Sequence, residues 1–335
     1  MIDANGFPTV YGRGLLAALV ADVDRYVVVT QPEPWAVMQP TLDHPPAAVI
    51  QAGDLRPAHL DDLASNLPDV DLIVGVGGGS AMDTAKWVHW RRQLPLVQVP
   101  SLPSVNACFT RMTALRIAGG VRYEGDAIPE QVLVDFDLMS AAPPSLVRGG
   151  IGDVLSCHTA RFDWHLAVNN NYEPAWDEEA ATMSLRYLDE LESLAPSLAA
   201  GTDDGIRALM ELHRDIGWRC HELGHARFEE GSEHFFAYAF EEVTGRTIMH
   251  GELVTVGVLI MSTLQGNRPE RPRSIADRVA MRTDLNQLGI SWDEIATALR
   301  RLPSFVTEQQ LWYSIIDELV IDERALAAAR AALDQ

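Results

Sequence analysis

Apolar and polar positions follow two rhythms along the chain, and the change falls near residue 145. In the first part short β-branched runs recur, at 26–30, 47–51, 72–76 and 96–99. Runs this short and this apolar predict strands buried on both faces. Stretches with helical spacing lie between and before them, at 15–23, 58–67 and 81–91. Such alternation builds βαβ units and hence a parallel sheet with helices on both sides. Residues 113–117 and 131–134 supply either a strand pair or a further strand, with Gly119 and Gly120 between them. Beyond Ala141-Ala-Pro-Pro144 the spacing is helical almost throughout, with candidates at 180–194, 205–220, 235–243, 253–264, 276–288, 292–302 and 323–333. The prediction is an α/β first domain over 1–145 and an all-α second domain over 146–335, with the active site in the cleft between them.

The third strand run leads into Gly77-Gly-Gly-Ser80 and then a helical stretch. Ser80 is the predicted N-cap, with Asp83 three residues on in a capping-box pattern. Glycines admit a phosphate close to the backbone, and the free N–H groups and dipole of a helix N-terminus attract it. The stretch is neither the G-x-G-x-x-G dinucleotide fingerprint nor a P-loop with its lysine. Read alone, it equally fits a tight βα turn in any α/β protein. In parallel sheets ligands bind at the carboxyl ends of strands, where Gly77–Gly79 and the segment from Pro100 to Asn106 both fall.

Composition narrows the function classes. With 335 residues and 47% hydrophobic positions the chain can bury sizeable cores. A formal net charge of −21 argues against nucleic acid and against an anionic membrane surface. It leaves room for a small anion held by local dipoles. The amino terminus carries no basic and apolar segments of a signal peptide, and the most apolar late run, 253–264, is too short to span a bilayer. Three cysteines without a CxxC pair predict no disulfide framework and a reducing cytoplasm.

Three places in the helical half carry chemistry: Gly149-Gly-Ile-Gly-Asp153, Gly231-Ser-Glu-His234 and Met249-His-Gly-Glu252. Singly, Asp153 fits a helix cap, and His234 and His250 fit satisfied core histidines. Together they offer one carboxylate and two imidazoles, the donor set of a catalytic divalent metal. A competing signal, His221-Glu-Leu-Gly-His225, matches the zinc-protease pattern H-E-x-x-H. That pattern needs an unbroken helix, and Gly224 inside it weakens one by about 1 kcal/mol.

These residues resemble a known family. The segment from Gly77 to Lys86 is similar to the cofactor loop of the superfamily of iron-containing alcohol dehydrogenases, glycerol dehydrogenases and dehydroquinate synthases. Gly150-Ile-Gly-Asp153, the run Asp163-Trp-His-Leu-Ala167, Gly231-Ser-Glu-His234 and His250-Gly-Glu252 look most like glycerol-1-phosphate dehydrogenases, over about residues 10–265. The resemblance implies a Rossmann-like nucleotide-binding sheet, NAD or NADP as cofactor, and one divalent metal (Zn, Fe or Ni) on Asp153, His234 and His250. It places the pyrophosphate loop on Gly77, Gly78, Gly79 and Ser80, with Asp83 behind it. Ser101 and Ser104 fall in the segment that lines the cofactor in relatives. It further implies a small-molecule substrate, phosphorylated or not, and self-association. His221 and His225 are then incidental, and Arg227 sits where relatives carry arginine.

Three positions depart from the pattern. Relatives follow a Pro-Thr-Thr/Ala-Ala-Ser stretch with an aspartate at the substrate side. This chain has Pro100-Ser-Leu-Pro-Ser104, Val105 and then Asn106, an amide that cannot accept a proton. Tyr238 stands where a second histidine often follows the Gly-Ser-Glu-His motif. The strand that ends in aspartate in many NAD-preferring relatives here reads Val29-Thr-Gln31, with no charge to reject a ribose 2′-phosphate. The expected activity is a metal-dependent NAD(P)-linked reduction of a ketone such as dihydroxyacetone phosphate, with Asp153, His234, His250 and Asn106 at the reacting centre. A cyclase of the dehydroquinate synthase type and a non-catalytic relative are the rival expectations.

Overall fold

The computed structural model describes residues 6–104, 106–117 and 119–334. The first five residues, on which part of the amino-terminal reading rests, lie outside these, as do Val105, Ala118 and Gln335. The chain divides into two compact units. One comprises the chain through Val147 together with Ile206–Glu222, and the other Arg148–Gly205 together with the chain from Leu223 onward. The helical segment 206–222 therefore groups with the sheet, although a division at residue 145 puts it with the helices.

In the first unit β1 (Thr9–Gly12), β2 (Tyr26–Thr30), β3 (Ala48–Gln51), β4 (Leu72–Gly77), β5 (Leu96–Pro100) and β8 (Gln131–Asp135) form one parallel sheet in the order β1-β8-β5-β4-β2-β3. Helices α1 (Leu15–Val20), α2 (Pro32–Met38), α3 (Pro57–Ser65), α4 (Gly79–Arg92) and α5 (Phe136–Ser140) connect and cover it. The central strands β2, β4 and β5 are buried along their whole length. Their side chains alternate between two cores, as the two-residue strand period requires. Val28, Val74, Val76 and Val99 pack with Leu16 and Val20 of α1. Val27, Val29 and Ile73 pack with Ala64 of α3 and Ala85 and Val88 of α4. Gly75 lets α4 lie close on β4, because a Cβ there would stand 2.8 Å from the Ala85 Cβ.

Residues 113–117 and 131–134 do not pair with each other: 131–134 is the further strand, and 113–117 pairs instead with 120–124, which the sequence reading did not mark as a strand. β6 (Thr113–Ile117) pairs antiparallel with β7 (Gly120–Glu124), and β8 joins the main sheet between β1 and β5. The strand β1, absent from the sequence reading, is an edge strand of only four residues, one of them exposed.

The second unit is helical, with no strand among its described residues. The short α6 (Pro144–Arg148) leads into it, followed by α7 (Ile151–Leu155), α8 (Cys157–Asn169) and α9 (Glu178–Ala200). After α10 (Asp203–Leu223) come α11 (Ser232–Thr244), α12 (His250–Leu264), α13 (Glu270–Val279), α14 (Leu285–Leu288), α15 (Trp292–Gln309) and α16 (Glu323–Leu333). The predicted helix over 276–288 is two helices. Ala280 adopts a left-handed conformation at the end of α13 (φ 57°), and Asp284 caps a fresh start by accepting from Asn286 and Gln287 N–H. No helix among the described residues is long and apolar enough to cross a membrane.

Candidate functional site

In the second unit Asp153, His234 and His250 each present a ligand atom, and these atoms lie within 4.8 Å of one another. Three separate helices deliver them, and glycines set the spacing. Asp153 lies in α7 and His250 opens α12. Their neighbours Gly152 and Gly251 are in backbone contact: a Cβ on Gly152 would lie 2.2 Å from the Gly251 carbonyl oxygen. Only glycine at 152 permits that approach. Likewise a Cβ on Gly257 of α12 would meet the Glu233 carbonyl at 2.6 Å, so α12 rests on the first turn of α11, which carries His234.

The donor geometry suits a cation. His234 Nε2 stands 3.8 Å and His250 Nε2 3.5 Å from Asp153 Oδ1. Asp153 and His234 are 4% and 6% exposed, whereas the His250 side chain retains 29%, which leaves the cluster one open side. His234 Nδ1 donates to Glu233 Oε1 at 2.8 Å, so Nε2 is the ring nitrogen turned toward Asp153. Burial alone lowers the His234 pKa. The Glu233 hydrogen bond and the charges of Glu233, Glu230 and Asp153 outweigh it and raise the group to about 9. One carboxylate and two imidazoles with room for further ligands fit a divalent ion such as Zn²⁺, Fe²⁺ or Ni²⁺.

Around this cluster the predicted motifs interlock. Asp163 accepts from Ser232 N–H at 2.8 Å and from Ile315 N–H at 2.9 Å, and Gln265 Nε2 donates to it at 3.2 Å. Burial pushes its carboxyl up to about 6. Glu252, two residues after His250, accepts from Arg282 Nε at 2.5 Å and Nη2 at 2.9 Å. Tyr238 donates to Glu230 at 2.9 Å, and its ring lies 6.2 Å from that of His234.

In the first unit the glycine loop closes β4 and opens α4, at the carboxyl edge of the sheet. The register pairs Gly77 with Pro100, and Ser101 N–H donates to the Gly77 carbonyl at 2.9 Å. This fixes the loop beside the buried Ser101 and Ser104. The capping box expected at Ser80 and Asp83 does not form. The helix starts two residues earlier, with Gly78 as N-cap and no side-chain cap. Both side chains have other partners: Ser80 Oγ accepts from Gln31 Nε2 at 2.8 Å, and Asp83 pairs with Lys86 at 2.9 Å. Lys86, fully buried, also donates to Thr110 Oγ1 at 2.8 Å and to the Met112 carbonyl at 2.5 Å, tying α4 to the chain before β6. Asn106 begins a single 3-10 turn, Asn106–Phe109. The α10 residue Gly217 admits that turn, since a Cβ there would stand 2.2 Å from the Phe109 carbonyl.

Gln31, His213 and Glu233 were not singled out from sequence for the contacts they make. Gln31 Oε1 accepts from Gly78 N–H at 3.0 Å, so its amide bridges the first N–H of the loop and Ser80. His213 of α10 contacts the Pro103 carbonyl through Nε2 at 3.1 Å, steadying the segment of Ser101 and Ser104. The signal for Gln31 lay in its place at a strand's carboxyl end; His213 had none.

His221 and His225 do not form a metal pair. Helix α10 ends at Leu223, Gly224 is left-handed (φ 71°), and His221 contacts Arg111 Nη1 at 3.2 Å.

The chain is similar to known proteins in both sequence and fold. The family of iron-containing alcohol dehydrogenases matches residues 44–143. A glycerol-1-phosphate dehydrogenase [NAD(P)+] of Pyrobaculum neutrophilum is 31% identical over 280 residues, covering 82% of this chain and 80% of the relative. Its counterpart from Methanothrix thermoacetophila is 29% identical over 285 residues, covering 84% and 79%. Among solved structures, a probable glycerol dehydrogenase from Sinorhizobium meliloti aligns with a TM-score of 0.72 at 22% identity, covering all of this chain and 98% of the other. The glycerol dehydrogenase of Schizosaccharomyces pombe aligns at 0.70 with 20% identity, covering 100% and 91%. The chain belongs to the iron-containing alcohol dehydrogenase superfamily, within the family of the glycerol-1-phosphate dehydrogenases.

Proposed function

We propose that the protein is a metal-dependent, NAD(P)-linked dehydrogenase that reduces the ketone of a small polyol phosphate such as dihydroxyacetone phosphate, or oxidises the matching alcohol. The observation that carries this is the convergence of Asp153, His234 and His250, one carboxylate and two imidazoles within 4.8 Å. The relatives named above, glycerol-1-phosphate dehydrogenases using NAD(P)+, support the substrate class and the cofactor.

When bound, the cation polarises the reacting oxygen and the nicotinamide exchanges hydride with the adjacent carbon. Asp153, His234 and His250 would hold the cation, the first two buried and His250 partly exposed. The N–H groups of Gly79 and Ser80 at the start of α4, with its dipole, would receive the pyrophosphate, the Gly78 N–H being held by Gln31. Gln31 is neutral and sits beside this loop, so it does not repel the 2′-phosphate of NADP. Ser101 and Ser104 line the cofactor, and Asn106 replaces a carboxylate with an amide that can orient a substrate hydroxyl without taking its proton. Asp83 acts through its ion pair with Lys86, holding α4 in place. A cytoplasmic setting, inferred from three cysteines without a CxxC pair, and self-association of the chain belong to the same reading.

The test follows NADH and NADPH oxidation by purified, metal-loaded protein offered dihydroxyacetone phosphate and, separately, dihydroxyacetone. Ketone-dependent oxidation is expected, and His234→Ala should lower it by about a thousandfold, the rate equivalent of several kcal/mol of lost Lewis-acid stabilisation. Unchanged turnover in His234→Ala would sink the reading.

A further inference from the structure

Glu233 is fully buried and lies between the second and fourth residues of its motif, Ser232 and His234. Its carboxylate makes three hydrogen bonds to three different kinds of donor. Oε1 accepts from the Gly231 N–H at 2.7 Å and from His234 Nδ1 at 2.8 Å. Oε2 accepts from Thr159 Oγ1 of α8 at 2.7 Å. The Glu233 backbone is also held, because Gly257 of α12 packs against its carbonyl. A carboxylate this constrained cannot rotate away from His234 without losing a donor on a second helix. A buried charge without such partners would be costly, so the arrangement persists as a unit.

We propose that Glu233 is a positioning residue that fixes the tautomer and aim of His234, and through them the affinity and geometry of the divalent-cation site. The proposal rests on the metal-site reading given above and deepens it. Nδ1 is committed as a donor to Glu233, which leaves Nε2 as the ligand atom. The full negative charge behind the ring makes Nε2 a stronger donor to a cation. Thr159 is the strut: it holds Oε2 so that Oε1 stays in line with the ring.

The alternative is that Glu233 merely caps Gly231 N–H at the start of α11. Glu233→Gln separates the two roles. The amide oxygen can still accept from Gly231 and His234, and its NH₂ can meet the Thr159 hydroxyl, so capping survives while the charge is lost. Cobalt(II) titration of the full chain, read by the visible d–d absorption and by competition with a chromophoric chelator, gives affinity and geometry without any assay of turnover. His234→Ala is the control for the site itself.

Wild-type protein is expected to take up one cobalt ion per chain, and His234→Ala to lose it. Glu233→Gln should bind about 10- to 100-fold more weakly with a shifted absorption band, while its metal-free melting curve stays that of the wild type. Should Glu233→Gln fail to fold, Thr159→Val keeps the charge and removes the strut; it should shift the band and weaken binding, and Thr159→Ser should restore both. Wild-type affinity and spectrum in Glu233→Gln, or in Thr159→Val if only that variant folds, would overturn the positioning role and leave the site intact. Wild-type protein that binds no cobalt would overturn the site and the proposal together.

Discussion

Glycine at 152 has the same standing in the proposed metal site as the candidate ligands it places. Its hydrogen faces the Gly251 carbonyl, and Asp153 and His250 are the next residue and the preceding residue of those two glycines. Gly152→Ala must push α7 and α12 apart. Overpacking of this kind costs roughly 1–3 kcal/mol, and here the strain falls on the distance between two ligand atoms. The variant should melt below the wild type and bind a divalent ion at least about tenfold more weakly, measured by thermal denaturation and metal titration; wild-type affinity would show that the glycine contact does not set the site. At this scale the ligand trio was legible because each member lies in a short motif of glycine, acid and histidine. The role of Glu233 was not: adjacency in sequence says nothing about a carboxylate that folds back onto its neighbour's ring and a threonine 74 residues away. Nor did the sequence distinguish Ser80 as a cap from Ser80 as the partner of Gln31, because a capping box and a side-chain bridge ask for the same residue type.

Among the elements, α15 has the most complete start. Ser291 Oγ accepts from Glu294 N–H at 3.2 Å, and Glu294 Oε2 accepts from Ser291 N–H at 2.8 Å, while Arg246 donates to the other carboxylate oxygen at 2.6 Å. The Ser291 backbone hydrogen bond, then Arg246 and the Ser291 hydroxyl, lower the Glu294 pKa from 4.5 to about 2. A carboxyl whose folded pKa is depressed stabilises the fold above its unfolded value and loses that contribution as pH falls toward the folded one. Glu294→Gln should therefore show its full stability deficit above about pH 5, a deficit that shrinks through pH 4.5 and vanishes near pH 2. Ser291→Ala should cost about 1 kcal/mol at neutral pH. Urea unfolding at several pH values reads both, and a deficit independent of pH would contradict the assignment to the Glu294 charge. The elements read best from sequence were the central strands, whose apolar runs have no other use. Those missed include β1, short and at an edge, β7, α2, and α8, whose helical period is masked by the buried polar residues Thr159 and Asp163. The break at Ala280 was also invisible, since a left-handed alanine leaves no compositional mark.

At the scale of the whole molecule, sheet and helices form two compact units, and the chain returns to the first through 206–222. That return escapes a reading based on periodicity, because a helix carries the same 3.6-residue pattern wherever it packs. Within this segment His213 contacts the Pro103 carbonyl and Gly217 admits the Phe109 carbonyl, on either side of the position proposed for Asn106 in the reaction. The net charge of −21 adds a condition, since the anionic nucleotide and substrate approach against the global field and must be held by local donors. The cation would be the largest positive charge in the second unit's cluster, and the proposed chemistry depends on it. The most direct measurement strips the protein with a chelator, confirms the metal content by elemental analysis, and follows NAD(P)H oxidation by dihydroxyacetone phosphate before and after one equivalent of Zn²⁺, Fe²⁺ or Ni²⁺ is restored. Turnover should vanish in the stripped protein and return with a single ion per chain; undiminished turnover in protein shown to be free of metal would contradict the central claim.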